Sequence, residues 1–401
     1  MRNNDQLVLT DVKNTGILPK SNVWRLSIAQ ALAGANSVVV YATGAIVGSM
    51  LAPSPILATL PISIFVVGMA ACVFPAGELA RCKGRRFTFL TGTIAGSLTG
   101  ILAFGSIILG SFWLFCCSTF LGGAYAAVVL SFRFAATDGL PKNKRPRALS
   151  LVMAGGVLAG VIGPQLVTQT MNLWPDKIFA ATFLAQAAVA ALAGVILFGV
   201  KSPLQTTIGE YRGRPLLIIA LQPLFIGAVI CGAVSYMVMN FLMTSAPLAM
   251  HMHGHSQESS NLGIQWHVVA MYAPSFFTGS LITRIGAIRT TFLGILITAL
   301  SIIIGLFGTD VYHFWALLIL LGIGWNFGFL GASALVLECH SAEEKNRVQS
   351  LNDFIIFGLM ALGSFSSGGI ISVYGWDMVL WISAIPLLFS LLAMRITKIR
   401  F

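Results

Sequence analysis

Few side chains in this sequence could handle a proton or a charge inside an apolar environment, and their positions set them apart. Asp353 lies six residues into an apolar run, within RVQSLNDFIIFG, and His267 lies within GIQWHVVAMYAP. A carboxylate held away from water can take up and release a proton, and an imidazole with an ordinary pKa of about 6.5 does so close to neutrality. Each has a structural alternative: Asp353 could pair with Arg133, Arg81 or Arg284, and His267 could hydrogen-bond a neighbouring helix. Arg133 sits far along its own run, where its stem can snorkel to the polar boundary. Asp138 and Glu338 close two further runs, with Arg145 and Arg347 nearby. Opposite charges so placed read as elements of a gate.

A second set of residues could recognise an organic solute. Asn36, Tyr125 and the pair Trp325-Asn326 fall at the centres of apolar runs, with Gln165, Tyr236 and Asn240 somewhat outward of centre. Amides and aromatic rings offer neutral hydrogen bonds and stacking, which suit an uncharged, partly planar molecule. No carboxylate lies at that depth to hold a cation. Amides also hold helices together, so each position carries that alternative. HMHGH at 251–255 could bind a transition metal through alternate imidazoles, but no second cluster supports it and no metal is expected.

These residues need elements to position them, and the composition says which. Of 401 residues 57% are hydrophobic and 9% charged, and the mean hydropathy is +0.87. No water-soluble globule has that balance, so the chain is expected to be an all-α polytopic membrane protein. A bilayer core of roughly 30 Å needs about 20 apolar residues in a helix. Twelve runs meet this, near 25–50, 55–77, 86–109, 112–135, 148–171, 177–200, 215–249, 262–283, 289–308, 312–337, 348–372 and 377–396. The seventh is too long for one straight span, and Pro247 is expected to bend or break its outer end.

The net charge of +11 comes from Lys and Arg clustered on alternate sides of the runs, as at 81–86, 142–147 and 201–214. That pattern excludes a nucleic-acid partner and, by the positive-inside bias, puts both termini and the basic loops in the cytoplasm. Residues 1–22 read as a cytoplasmic tail, 23–200 and 215–401 as two six-helix halves, and 201–214 as the linker between them. The six cysteines show no CxxC spacing, and no phosphate loop, GxSxG elbow or HExxH pair is present. The chain is not expected to be an enzyme or to need a cofactor.

The two halves repeat. Phe74, Gly77, Leu79, Gly84, Thr88 and Gly92 recur 202 residues later, without a gap, as Phe276, Gly279, Leu281, Gly286, Thr290 and Gly294. Duplicated halves that rock about a site at their interface are a recurrent plan of secondary transporters. GELARCKGRR at 77–86, with its counterpart GSLITRIGAIR at 279–289, resembles the loop motif of the major facilitator superfamily. Gly77, Leu79, Gly84, Arg85 and Arg86 match in the first copy, and Gly279, Leu281, Arg284, Gly286 and Arg289 in the second. Arg81 and Thr283 replace the family's usual aspartate, leaving Glu78 as the possible substitute. The resemblance covers the whole chain and implies the twelve-helix fold in two pseudo-symmetric halves, with this loop as a latch for one conformation. A second resemblance, GGVLAGVIGPQL at 155–166, is similar to the glycine-and-proline motif of the family's antiporters, while close helix packing explains the same residues.

The expectation is therefore a secondary active carrier of a small organic solute in the lipid bilayer, working as a monomer by alternating access, with proton-coupled efflux first. The alternative is an importer of a neutral metabolite or vitamin. A reading of another class is a transport-inactive receptor or scaffold that kept the fold. The short loops point to a bacterial inner membrane.

Overall fold

The computed structural model describes residues 20–54, 57, 60–200 and 213–396. Most of the expected N-terminal tail and of the 201–214 linker, and the last five residues, lie outside the described residues. Every long element is a helix, as lipid requires of a chain whose backbone groups must be satisfied within each span. The helices are α1 (Lys20–Leu51), α2 (Leu60–Lys83), α3 (Arg85–Leu109), α4 (Phe112–Leu130), α5 (Arg145–Thr170) and α6 (Ala180–Phe198), then α7 (Pro223–Met252). α8 comes in two pieces, Gln257–Tyr272 and Ser275–Ile285, followed by α9 (Ala287–Phe307) and α10 (Val311–Val336). The last helix, Lys345–Ile396, changes direction at Gly375 (φ 79°), which separates α11 (345–374) from α12 (376–396). Among the described residues ten helices are long and apolar enough to cross a membrane; α8 and α11 complete the twelve expected spans.

The repeat is visible in the backbone. Gly84 and Gly286, 202 residues apart, start α3 and α9 with φ of 83° and 92°, a conformation that a side chain would strain. Both follow a helix by a single residue, so the turn between successive spans is as tight as the motif implies. Pro247 differs from expectation. α7 runs through it to Met252, and the excess length is resolved at the other end, where Leu216–Ala220 forms a separate short helix before Gln222 and Pro223 start α7. A proline in the outer turns of a span costs one backbone bond, whereas Pro223 at the first helical position costs none.

α2 packs against α11, and α5 against both pieces of α8, so each half meets the other through equivalent helices. One cluster of buried apolar side chains crosses this junction, from Phe65, Met69 and Phe134 in the first half to Trp325, Phe329 and Phe357 in the second. Two smaller clusters lie wholly in the first half. The glycines of α5 serve this packing. A Cβ on Gly155 or Gly163 would meet α1, and one on Gly156 or Gly160 would meet Tyr272 or Val268 of α8.

Candidate functional site: a latched chamber between the halves

At the face bearing the basic loops, the halves are joined by charge. Arg85, the first residue of α3, donates from Nε to Asp138 Oδ2 at 2.7 Å and from Nη2 to Gln349 Oε1 of α11 at 2.8 Å. Lys345 Nζ of α11 lies 3.2 Å from Asp138 Oδ1. Asp138, read from sequence as a gate element beside Arg145, is instead paired with Arg85 and Lys345. Arg145 instead donates to Leu140 O in its own loop. The carboxylate that meets Arg85 thus comes from the loop after α4, and Glu78 is committed to Arg81 on its own helix at 2.5 Å.

Deeper in, Arg133 Nη2 and Asp353 Oδ1 form an ion pair at 2.5 Å, with their side chains 0% and 6% exposed. Asn352 Nδ2 donates to the same carboxylate at 2.8 Å, and the Arg133 guanidinium lies over the rings of Phe134 and Phe329 at 4.2 and 4.8 Å. Arg133 does not snorkel: α4 ends at Leu130, and the short turn Phe132–Ala135 directs the side chain inward to α11. Such a pair is costly to desolvate and more costly to break one-sidedly, which suits a contact that must hold and then part as a unit. Between these contacts and Gly77 remains a cleft of about 30 Å³, room for a water or two.

Backbone contact completes the closure. A Cβ on Gly77 would fall 1.7 Å from Ser350 Oγ of α11, and one on Gly279 would fall 2.7 Å from Arg147 Cα of α5. Ser150 Oγ ties the second contact by accepting from Gly279 N at 3.0 Å and donating to Ser275 O at 2.6 Å. Of the other latch residues, Leu79 is half-buried, and Arg284 and Glu338 are exposed. The acid that is ion-paired in the loop after α10 is Glu344, whose Oε2 meets Arg214 Nη2 at 2.8 Å. That arginine pushes the Glu344 carboxyl down to about 2, and burial pushes His340 below its ordinary value.

Above the latch the halves meet in a packed aromatic cluster, the chamber of the cycle proposed below. Trp325 stacks on Phe329 (5.1 Å between centroids, 17° between planes) and is covered by the edges of Tyr236 at 5.5 Å and Tyr272 at 5.7 Å. Tyr236 also meets Phe357 at 5.7 Å and stands within electrostatic reach of Tyr41, Tyr272 and the Arg133–Asp353 pair. Tyr41 packs edge-on against Phe65 at 5.4 Å. α1, α7, α8, α10 and α11 thus each contribute a ring, and Tyr41, Tyr236 and Tyr272 are the half-exposed ones. Trp325 is fully buried and supports the layer above it.

The residues expected from sequence fall into different places. Tyr236 is in the chamber, and Asn240, one turn further along α7, is buried with no bonding partner for Nδ2 among the described residues. Asn36 lies about 140° around α1 from Tyr41 and donates to Leu32 O of its own helix at 3.4 Å. Tyr125 packs against Gly96 of α3 inside the first half, and Gln165 is exposed. Asn326 is fully used as helix glue: Nδ2 donates to Met271 O and Ser275 Oγ, both at 2.6 Å, and Oδ1 accepts from Thr278 Oγ1 at 2.7 Å. It staples α10 to the Ala273–Pro274 break in α8. His267 staples the same helices through Nδ1 and Leu318 O at 2.7 Å. In the loop after α7 His253 and His255 bond the carbonyls of Ala249 and Thr309. Tyr41, Tyr272, Phe329 and Phe357 were missed; their signal was an aromatic at mid-depth, which a span rich in phenylalanine hides.

Two repeated halves, joined by ionic contacts at one face and by an aromatic cluster at their interface, follow the plan of a carrier of the rocking type. The comparisons with known proteins give its family. The sequence model described as Major Facilitator Superfamily matches residues 26–274 and 228–399, and the chain belongs to that superfamily as a secondary transporter. It is similar to the riboflavin transporter RfnT of Brucella anthropi, with 45% identity over 366 residues, covering 90% of this chain and 92% of that one. The uncharacterized MFS-type transporter YdeG of Bacillus subtilis is 29% identical over 374 residues, covering 88% and 86%. Among solved structures, human organic anion transporter MFSD10 (TM-score 0.77, 13% identity, 94% and 99% covered) and FucP in the outward conformation (0.74, 14%, 94% and 100%) share the fold.

Proposed function

We propose that this chain is an uptake carrier for riboflavin or a closely similar uncharged flavin. The observation that carries the reading is the likeness to a riboflavin transporter at 45% identity over nine-tenths of both chains. The chemistry of the aromatic cluster suits that solute. An isoalloxazine is a planar tricycle with one polar edge, and three half-exposed tyrosines drawn from both halves offer π faces and phenolic hydroxyls to it. Arg133 is neutralised by Asp353, so the chamber carries no spare cation that would favour an anionic ligand. Uptake replaces the efflux placed first on sequence motifs, because the likeness to a riboflavin transporter favours the vitamin-importer alternative, and the α5 glycines that prompted efflux are engaged in helix contacts.

In this reading the basic face is cytoplasmic and the latched state receives solute from the opposite side, in a bacterial inner membrane. Solute gathered by Tyr41, Tyr236 and Tyr272 draws the halves together above it. The Arg85–Asp138–Lys345 and Arg133–Asp353 contacts then part, and the chamber opens to the cytoplasm. Asp353, once separated from its arginine, is the group that takes a proton if transport is coupled to one. The test is labelled-riboflavin uptake in cells that neither synthesise nor otherwise import the vitamin. Saturable uptake and growth at low riboflavin are expected with this chain. Uptake no greater than in cells without it, at equal membrane expression, would sink the proposal.

A further inference from the structure

On the outside of the first half, away from the chamber, α3 and α6 enclose an open groove of about 610 Å³. Its walls include Thr93, Ile94 and Ser97 on α3 and Ala191, Gly194 and Phe198 on α6. The polar groups in it make no demand on a ligand: Thr93 Oγ1 donates to Leu90 O at 2.8 Å and Ser97 Oγ to Ala187 O at 3.4 Å. What remains is a concave apolar strip about 10 Å long at helical rise. Its end at the basic face is charged. Arg86 lies seven and eleven residues before Thr93 and Ser97, hence on the same face of α3, and its guanidinium sits 4.2 Å over the Phe198 ring. Lys83, the last residue of α2, lies 4.7 Å over the ring of Phe87, the residue that follows Arg86 on α3.

We infer that this groove is a binding site for an anionic phospholipid of the basic leaflet, with an acyl chain along the α3–α6 strip and the phosphate at Arg86 and Lys83. An apolar strip ending in two cations matches a molecule with an apolar chain ending in an anion. The repeat supplies an internal contrast. At the matching positions of the second half Ile288, Ile295 and Ala299 replace Arg86, Thr93 and Ser97, so the equivalent face of α9 lacks both the charge and the small polar wall residues. A cation merely stationed at the boundary would need no groove beneath it.

The experiment is native mass spectrometry of the full chain released from nanodiscs of equal phosphatidylglycerol and phosphatidylethanolamine, with size-exclusion profiles confirming folded protein. The expected result is retained phosphatidylglycerol in preference to phosphatidylethanolamine. Arg86→Gln should lower that preference about fivefold, and Ala191→Trp, which fills the groove from an exposed position, should lower it as far. Arg289→Gln, at the start of α9, should leave it intact. An equal preference in all three variants, or none in the unaltered chain, overturns the site. So does a dimer that Ala191→Trp disperses, since the groove would then hold a second copy of the chain.

Discussion

The two junctions between the halves occupy equivalent places in the repeat and are built differently. Where α2 and the segment after α4 meet α11, the contact is ionic: Arg85, Asp138, Lys345, Arg133 and Asp353 are all there, and Gly77 meets a serine side chain. Where α8 meets α5, the contact is neutral: Gly279 meets the backbone of Arg147 and Pro146, and Ser150 bonds main-chain atoms. The residues matching Arg85, Arg133 and Asp138 in the second half are Ala287, Leu335 and His340. The two copies therefore share the glycines and differ in these charges. A charged contact can be strong when closed and favourably hydrated when open, whereas a backbone contact turns without changing its solvation. In the proposed cycle the first acts as a latch and the second as a pivot.

The largest expected effect is at the buried pair. Asp353→Asn leaves Arg133 uncompensated and should weaken the latched state by about 3–5 kcal/mol. Cysteine-accessibility labelling from the basic face should then rise by two or more orders of magnitude, with a matching loss of uptake. Accessibility unchanged by Asp353→Asn would remove the ionic latch from the account. Next come the glycines. Gly77→Ala should cost about 1–3 kcal/mol of closure and be largely rescued by Ser350→Gly, because its obstacle is a side chain. Gly279→Ala should cost as much and resist rescue by Ser150→Gly, because its obstacle is backbone. Equal rescue on both sides would break the comparison.

Lys345→Met is expected to do less, under about 1 kcal/mol, since Arg85 still holds Asp138. The smallest effect is at Glu344, outside both junctions. Its folded pKa of about 2 lies below the ordinary 4.5, so its pairing with Arg214 stabilises the fold fully above about pH 4.5 and loses that contribution as pH falls toward 2. Thermal melts of Glu344→Gln should match the unaltered chain near pH 2 and fall below it at pH 7.

Much of this frame was legible in the sequence because the repeat reports geometry directly. Gly84 and Gly286 recur where a positive φ is needed, and Gly77 and Gly279 where backbones approach. The side-chain partners were not legible. Arg133 was placed by its distance along an apolar run, which ignores that α4 stops at Leu130 and that the following turn aims inward. Asn326 looked like a solute contact because an amide at mid-depth is costly, but its three hydrogen bonds go to a break in α8 that only the folded chain brings near. Tyr41 and Tyr272 were passed over because α1 and α8 face the chamber along stripes fixed by their packing on α5.

The most direct test of a flavin chamber is riboflavin fluorescence during titration with purified protein, since stacking on tyrosine rings quenches it. The account predicts saturable quenching that is lost in Tyr236→Ala and Tyr272→Ala and retained in Tyr125→Phe, whose ring packs inside the first half. Absence of quenching by the unaltered chain, or quenching indifferent to both tyrosine substitutions, would contradict it.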